Sequence, residues 1–205
     1  MDFNQAANNW DTEQRKKRAE IVANEILQSV PVNREYSVLE FGCGTGLVSF
    51  NLYQKFRNVT LIDNSEGMIE VLNRKISEEN IKNMSAFQIG IHEAFEGCLG
   101  EYDLIYSSMA LHHIKDIESA IEILFKLLKK NGYLSIVDLV EEDGSFHKLE
   151  TDFDGHNGFN QNVLIRVLEK VGFKNVNSHV FYKDYKIIED SRVDYSLFII
   201  TGKKT

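Results

Sequence analysis

"VLEFGCGTG", residues 38–46, sets an apolar run that ends in an acid directly before three glycines spaced two apart. A glycine-rich loop after a strand is a seat for a nucleotide-type cofactor, because glycine lets the backbone turn tightly and approach a ligand closely. The dinucleotide fingerprint G-x-G-x-x-G needs its third glycine at position 47, where Leu47 stands. The third glycine falls at Gly46 instead, and Glu40 lies where its charge would repel a pyrophosphate. A cofactor with a cation near this loop fits better than one carrying two phosphates.

Working outward, the apolar pattern alternates between strand and helix. Residues 12–29 carry a helical stripe of Ala19, Val22, Ala23, Ile26 and Leu27, closed by Pro31. Residues 36–41 read as a buried strand and 46–56 as an amphipathic helix. A second strand is expected over 58–63, a helix over 66–79 behind Ser65 as N-cap, and a third strand over 84–90. Then follow a strand over 102–108, a helix over 117–130 closed by Asn131-Gly132, a strand over 133–140 and a helix over 161–173. Two β-rich segments, 176–187 and 194–204, end the pattern without a helix between them. The alternation predicts an α/β fold, a doubly wound parallel sheet with helices on both faces. The last two strands should pair as an antiparallel C-terminal β-hairpin at the sheet edge. In such sheets the ligand lies beyond the strand C-termini, next to the first strand, where the glycine loop falls.

Composition narrows the function. The 205 residues fit a single domain, 1–205, with residues 1–30 as an N-terminal helical lid and 141–160 as an active-site loop. A net charge of −8 argues against nucleic acid as the main partner. The basic run Arg15-Lys16-Lys17-Arg18 reads as a solvated helix face. Cys43 and Cys98 read as free, inert thiols of a reducing compartment. The first 18 residues are too polar for a signal peptide, and no apolar run approaches the roughly 18–20 residues that span a bilayer. The expectation is a cytoplasmic protein, monomer or homodimer, without a membrane segment.

Asp63 ends the second strand, where a carboxylate can accept hydrogen bonds from both hydroxyls of an unphosphorylated ribose. With it, "VLEFGCGTG", "LIDNSEGMI" and "YDLIYSSMALHHI" resemble the class I S-adenosylmethionine-dependent methyltransferases, over about residues 36–140 and in the same order and spacing. The resemblance implies a Rossmann-like sheet of seven strands with an antiparallel last pair. It implies S-adenosylmethionine as cofactor, S-adenosylhomocysteine as product, and a small-molecule acceptor methylated on O, N or S. Gly42 and Gly44, with Cys43 between them, match the loop against the cofactor's amino-acid portion. Glu40 matches the acid near its ammonium, and Asp63 the ribose-binding acid. Asn64 and Met68 match residues around ribose and adenine, and Ser107 a position near the sulfonium. The acid that usually receives the adenine amino group is replaced by Ile91, which leaves Gly90, Ile91 and His92, or Glu93, around the adenine.

Methyl transfer from a sulfonium is an in-line displacement that asks the protein chiefly for alignment, with a base only where the acceptor must lose a proton. Acceptor-side candidates come from the segments over the strand ends. In "MALHHI" (109–114), His112 reads as structural and His113 as facing the acceptor. The long stretch 141–160 holds His147 and His156, candidates to position or deprotonate the acceptor, and Phe146, Phe153 and Phe159 as apolar walls. His147, Asp152, Asp154 and His156 have ligand chemistry but no compact ligand spacing, so no metal is expected there. Asn160 reads as the N-cap of the following helix, and Trp10 as an aromatic lid over cofactor and acceptor. Two other functions stay open. A nicotinamide-dependent oxidoreductase is opposed by Leu47 and Glu40, and a non-catalytic S-adenosylmethionine-binding regulatory protein would share the whole cofactor seat.

Overall fold

Successive residues of each strand point to opposite faces, and here both faces are apolar. Val38, Leu61, Leu104, Val137 and Ile199 join one buried cluster, while their neighbours Leu39, Ile62, Ile105, Ile136 and Ile200 join another on the far side. The structure, a computed structural model, describes residues 2–91, 101–150 and 153–205. Among these residues the strands are β1 (Ser37–Phe41), β2 (Asn58–Asp63), β3 (Met84–Gln88), β4 (Tyr102–Ser108), β5 (Leu128–Leu139), β6 (Lys174–Ile188) and β7 (Ser191–Lys203). They form one seven-stranded sheet in the order β3-β2-β1-β4-β5-β7-β6. The first five are parallel; β7 runs antiparallel to both β5 and β6. The expected α/β sheet with an antiparallel final pair is what the chain forms, with β7 inside the sheet and β6 at the edge.

Helices α1 (Phe3–Ala6), α2 (Glu13–Ser29), α3 (Ser49–Leu52), α4 (Glu66–Glu78), α5 (Ile117–Leu127) and α6 (Gln161–Val171) cover the sheet. Apolar stripes of α2, α3 and α4 pack on one face through Val22, Ile26, Leu52 and Leu72. Those of α5 and α6 pack on the other through Ile121, Leu124, Leu164 and Leu168. Side-chain caps start several of them: Thr12 for α2, Ser65 for α4, Asp116 for α5 and Asn160 for α6 each accept a first-turn N–H.

Three boundaries differ from the sequence pattern. The helix expected over 46–56 is only α3 and a 3-10 turn at Tyr53–Lys55, because the residues before Ser49 serve the glycine loop and Phe56 must turn extended to bury its ring. The helix expected over 117–130 stops at Leu127. There the backbone turns extended, Leu128 pairs with Tyr102, and Lys204 donates to the carbonyls of Phe125 (2.7 Å) and Leu128 (2.6 Å). The last two strands run longer than expected, to a two-residue turn at Glu189 and Asp190, both at positive φ, the geometry that matches hairpin twist.

The N-terminal region is two helices rather than one. α1 and a 3-10 turn at Ala7–Asn9 lie across α4, burying Ala7, Met68 and Val71 with Phe3 and Trp10 packed against them. Residues 141–160 are anchored by a parallel bridge between Val140 and Phe159 and carry a 3-10 turn at Ser145–His147. No helix among the described residues is long and apolar enough to cross a membrane.

Candidate active site

β1 ends at Phe41, and the chain then turns through three glycines at positive φ: Gly42 (+67°), Gly44 (+52°) and Gly46 (+80°). The N–H groups of Gly42 and Cys43 both donate to the Ile62 carbonyl, at 2.9 and 3.0 Å, seating the loop on the end of β2. Asp63 continues that seat: its carboxylate accepts from the N–H of Gly44 at 2.8 Å and of Ser65 at 2.9 Å. Burial raises the Asp63 pKa, and these N–H donors oppose the rise. A side chain on Gly42 would place its Cβ 2.2 Å from Ala110 Cβ, so this glycine is needed for packing. At Gly44 the nearest atoms, Met68 Sδ and Trp10 Nε1, lie 3.9 Å away, so this glycine leaves an open space.

That space belongs to a cavity of about 230 Å³. The glycine loop contributes Gly42, Cys43, Gly44 and Thr45, and β1 contributes Glu40; Asp63, Asn64 and Met68 follow from the end of β2 and α4. Gly90 and Ile91 line it after β3, and Ser108, Met109, Ala110 and His113 after β4. Phe3, Trp10 and Arg15 come from the N-terminal segment. Glu40 is almost fully buried and accepts the Ser49 hydroxyl proton, while Ser49 Oγ lies 2.6 Å from Tyr106 Oη. Burial pushes the Glu40 carboxyl up to about 8. The same burial pushes the Cys43 thiol well above its usual value.

The N-terminal segment is tied down over this cavity by polar contacts that the sequence pattern did not announce. Asp11 accepts from Thr45 Oγ1 at 2.5 Å and from Lys75 Nζ at 2.7 Å, and Lys75 also donates to the Thr45 carbonyl at 2.8 Å. Asn4 Oδ1 accepts from Ser65 Oγ at 2.7 Å and from the Gly67 N–H at 3.0 Å. The Arg15 guanidinium sits 3.8 Å from the centre of the Trp10 ring.

Other sequence candidates fall elsewhere. Ser107 is buried in the sheet and does not line the cavity; strand alternation gives that place to Ser108. Phe159 is a core residue against α6, because its bridge to Val140 draws it into the sheet face. His156 bonds through its ring to the Lys115 carbonyl at 3.2 Å and packs on Phe159, away from the cavity lining. Phe146 packs edge-on against Tyr195 and His147, with Lys186 Nζ 3.5 Å from its ring centre, and also stands outside the lining. His92, Glu93, Cys98 and Asp152 lie outside the described residues. Asp154 pairs with Lys115, so the loop set His147–Asp152–Asp154–His156 is not what gathers here. The imidazoles that converge among the described residues are His112, His113 and His147. Burial, and then His112 beside them, lower the pKa of His113 to about 4 and that of His147 likewise.

The sequence model of a methyltransferase-domain family matches residues 32–184. An uncharacterised methyltransferase of Schizosaccharomyces pombe is 32% identical over 152 residues, covering 68% of this chain and 54% of that protein. A malonyl-[acyl-carrier protein] O-methyltransferase of Priestia megaterium is 28% identical over 155 residues, covering 73% of this chain and 53% of its own. The chain thus spans about half the length of the curated relatives it matches. Among solved structures, a Bacillus halodurans protein described as a methyltransferase superposes with a TM-score of 0.72 at 14% identity, over 89% of this chain and 98% of that one. Phosphoethanolamine N-methyltransferase 2 of Haemonchus contortus, solved with S-adenosyl-L-methionine, gives 0.71 at 14% identity over 89% and 52%. Such low identities speak for the fold, whereas the family match covers most of the sequence and includes the glycine loop and Asp63. This chain belongs to the class I, S-adenosylmethionine-dependent methyltransferase family.

Proposed function

We propose that the protein transfers the methyl group of S-adenosylmethionine to a small-molecule acceptor, leaving S-adenosylhomocysteine. One observation carries this reading: Glu40, the open side of Gly44 and Asp63 line the same cavity. The residues fit that cofactor. Asp63 accepts from the Gly44 and Ser65 N–H groups while its side chain lines the cavity, where a carboxylate can also accept from ribose hydroxyls. Glu40 supplies a carboxylate for an ammonium, and Met68 and Ile91 supply apolar surface for a purine. Lys75, beside the loop, is engaged by Asp11 and the Thr45 carbonyl.

When bound, the cofactor supplies an electrophilic methyl on a sulfonium. The chain's own task is to bind, orient and keep out water. Phe3 and Trp10 cover the cavity, held by the Asn4 and Asp11 contacts. The acceptor lies beside Met109, Ala110 and His113. His113 lines the cavity there, and its ring meets that of His147 edge-on at 5.7 Å. The net charge of −8 supports a small acceptor over nucleic acid. A cytoplasmic monomer or homodimer completes the reading.

Calorimetric titration with S-adenosylmethionine, S-adenosylhomocysteine and a nicotinamide dinucleotide tests the cofactor. Binding of the dinucleotide alone would overturn the proposal. Incubation with labelled cofactor and a metabolite extract should then yield a product about 14 Da heavier, one CH₂ per transfer. Cofactor binding with no product across a broad acceptor panel would point to a regulatory protein instead.

A further inference from the structure

Three imidazoles meet beside the acceptor end of the cavity. His112 and His113 come from the 3-10 turn after β4, and His147 comes from the 3-10 turn in the 141–160 loop. The ring centres lie 4.2 Å (His112–His113), 5.0 Å (His112–His147) and 5.7 Å (His113–His147) apart, and one nitrogen from each lies within 4.8 Å of the other two. Packing accounts for part of this. Phe153 stacks on His147 at 3.8 Å and 4°. The loop is drawn in by the His156 N–H donating to the His112 carbonyl at 2.7 Å.

Packing leaves the nitrogens unexplained. His112 Nδ1 lies 2.5 Å from Asp138 Oδ1 with both side chains buried, so the carboxylate fixes that ring nitrogen and Nε2 is the atom left to meet a ligand. A carboxylate fixing one ring nitrogen so that the other carries a lone pair is the arrangement of a metal-binding histidine. His147 Nδ1 is buried with no hydrogen-bond partner, on a ring only 5% exposed, while its Nε2 lies 3.9 Å from a Glu150 oxygen. A buried, unpartnered nitrogen on a ring that meets two other imidazoles is unfavourable unless a ligand satisfies it.

We propose that His112, His113 and His147 hold a divalent transition-metal ion of the zinc class at the acceptor end of the cleft. Three imidazoles are a sufficient donor set for zinc or cobalt, with a fourth position left open. Metal–nitrogen bonds of about 2.0–2.1 Å set tetrahedral donors roughly 3.4 Å apart, so modest ring rotations would close the site. His113 is the member that lines the cavity, so the open position faces it. There the ion would take the oxygen, nitrogen or sulfur of the acceptor. That last point rests on the methyl-transfer reading; binding of the ion does not.

The test uses the full, tag-free chain, stripped by a chelator and titrated with zinc chloride by calorimetry and with cobalt(II) by visible absorption. One ion per chain is expected, with a cobalt spectrum of low-symmetry nitrogen ligation. His113→Ala and His147→Gln should each weaken the ion at least about 10-fold, as should Asp138→Asn through His112. His179→Ala, whose ring pairs with Glu25 on the surface, should leave the affinity unchanged. His113 is only half-buried, so its variant keeps the test valid should an interior variant misfold. Absence of saturable one-to-one binding, or equal affinity in wild type, His113→Ala and His147→Gln, overturns the proposal. Retention of S-adenosylmethionine binding in that case would leave the methyl-transfer reading standing.

Discussion

Gly44 donates its N–H to the Asp63 carboxylate at 2.8 Å, so one side chain both shapes the glycine loop and faces the cavity. A hydrogen bond to a charged group contributes about 1.5–3 kcal/mol, roughly 10–100-fold in affinity. Asp63→Ala should therefore weaken S-adenosylmethionine by at least about 10-fold by calorimetry, since the loop relaxes as the ribose contact is lost. His147 does not line the cavity, and His147→Ala should change cofactor affinity by less than about threefold. Equal losses would remove the ribose assignment.

Glu40 makes stability depend on pH in an unusual direction. Its folded carboxyl titrates near 8 rather than 4.5, because burial disfavours the charge. Below about pH 4.5 both states hold the proton and there is no effect. Between about 4.5 and about 8 only the folded state holds it, so unfolding free energy falls as pH rises, by at most about 1.4 kcal/mol per unit. Above that range the loss is complete. Denaturant titrations of the cofactor-free protein across this window should show the decline, and Glu40→Gln should flatten it.

The same carboxyl couples to the cofactor. An ammonium beside Glu40 favours the carboxylate, so binding near neutral pH should release up to one proton. Calorimetry in two buffers of different ionisation enthalpy reads this directly. No buffer dependence would show that Glu40 does not meet the ammonium.

Gly42 and Gly44 of the loop should separate stability from binding. Gly42→Ala forces a Cβ to 2.2 Å from Ala110 at positive φ, and should cost at least about 2–3 kcal/mol of stability with a lowered Tm. Gly44→Ala meets no atom closer than 3.9 Å and should cost only about 1–2 kcal/mol for its φ. Its methyl enters the cavity, however, and should weaken the cofactor more than it lowers Tm.

Trp10, the single tryptophan, lines the cavity beneath the Arg15 guanidinium. Its fluorescence should change saturably with S-adenosylmethionine and lose that response in Trp10→Phe. Asp11→Ala removes the partner of Thr45 and Lys75, and stopped-flow should show cofactor leaving several-fold faster. An unchanged off-rate would mean that the segment does not gate the cleft.

The sheet was readable because each strand carries its own two-sided apolar pattern; 58–63 and 102–108 match β2 and β4 residue for residue. That Glu40, Gly42, Gly44 and Asp63 meet around one cavity was readable as well, since one loop and one strand end, both local in sequence, bring them there. What stayed hidden depends on distant partners. Leu128–Asn131 have helix-like composition, but pairing with β4 and Lys204 on the helix carbonyls make them strand. Asp11 and Asn4 look like ordinary polar residues until the segment lies on Thr45, Lys75 and Ser65. Phe159 and His156 read as pocket residues because an irregular loop has no periodicity to show which way a side chain faces. The histidine trio needs the loop at 147 folded onto 112–113, a contact that no local pattern encodes.

The place of β7 between β5 and β6 has a consequence for how the chain is made. Residues 191–203 leave the ribosome after every strand they join. Until then β5, which carries Leu134, Ile136, Val137 and Leu139, has β4 on one side and an unsatisfied edge on the other. Such an edge pairs readily with other chains. With most of its sheet already synthesised, the nascent chain carries this open edge until the hairpin's inner strand fills it.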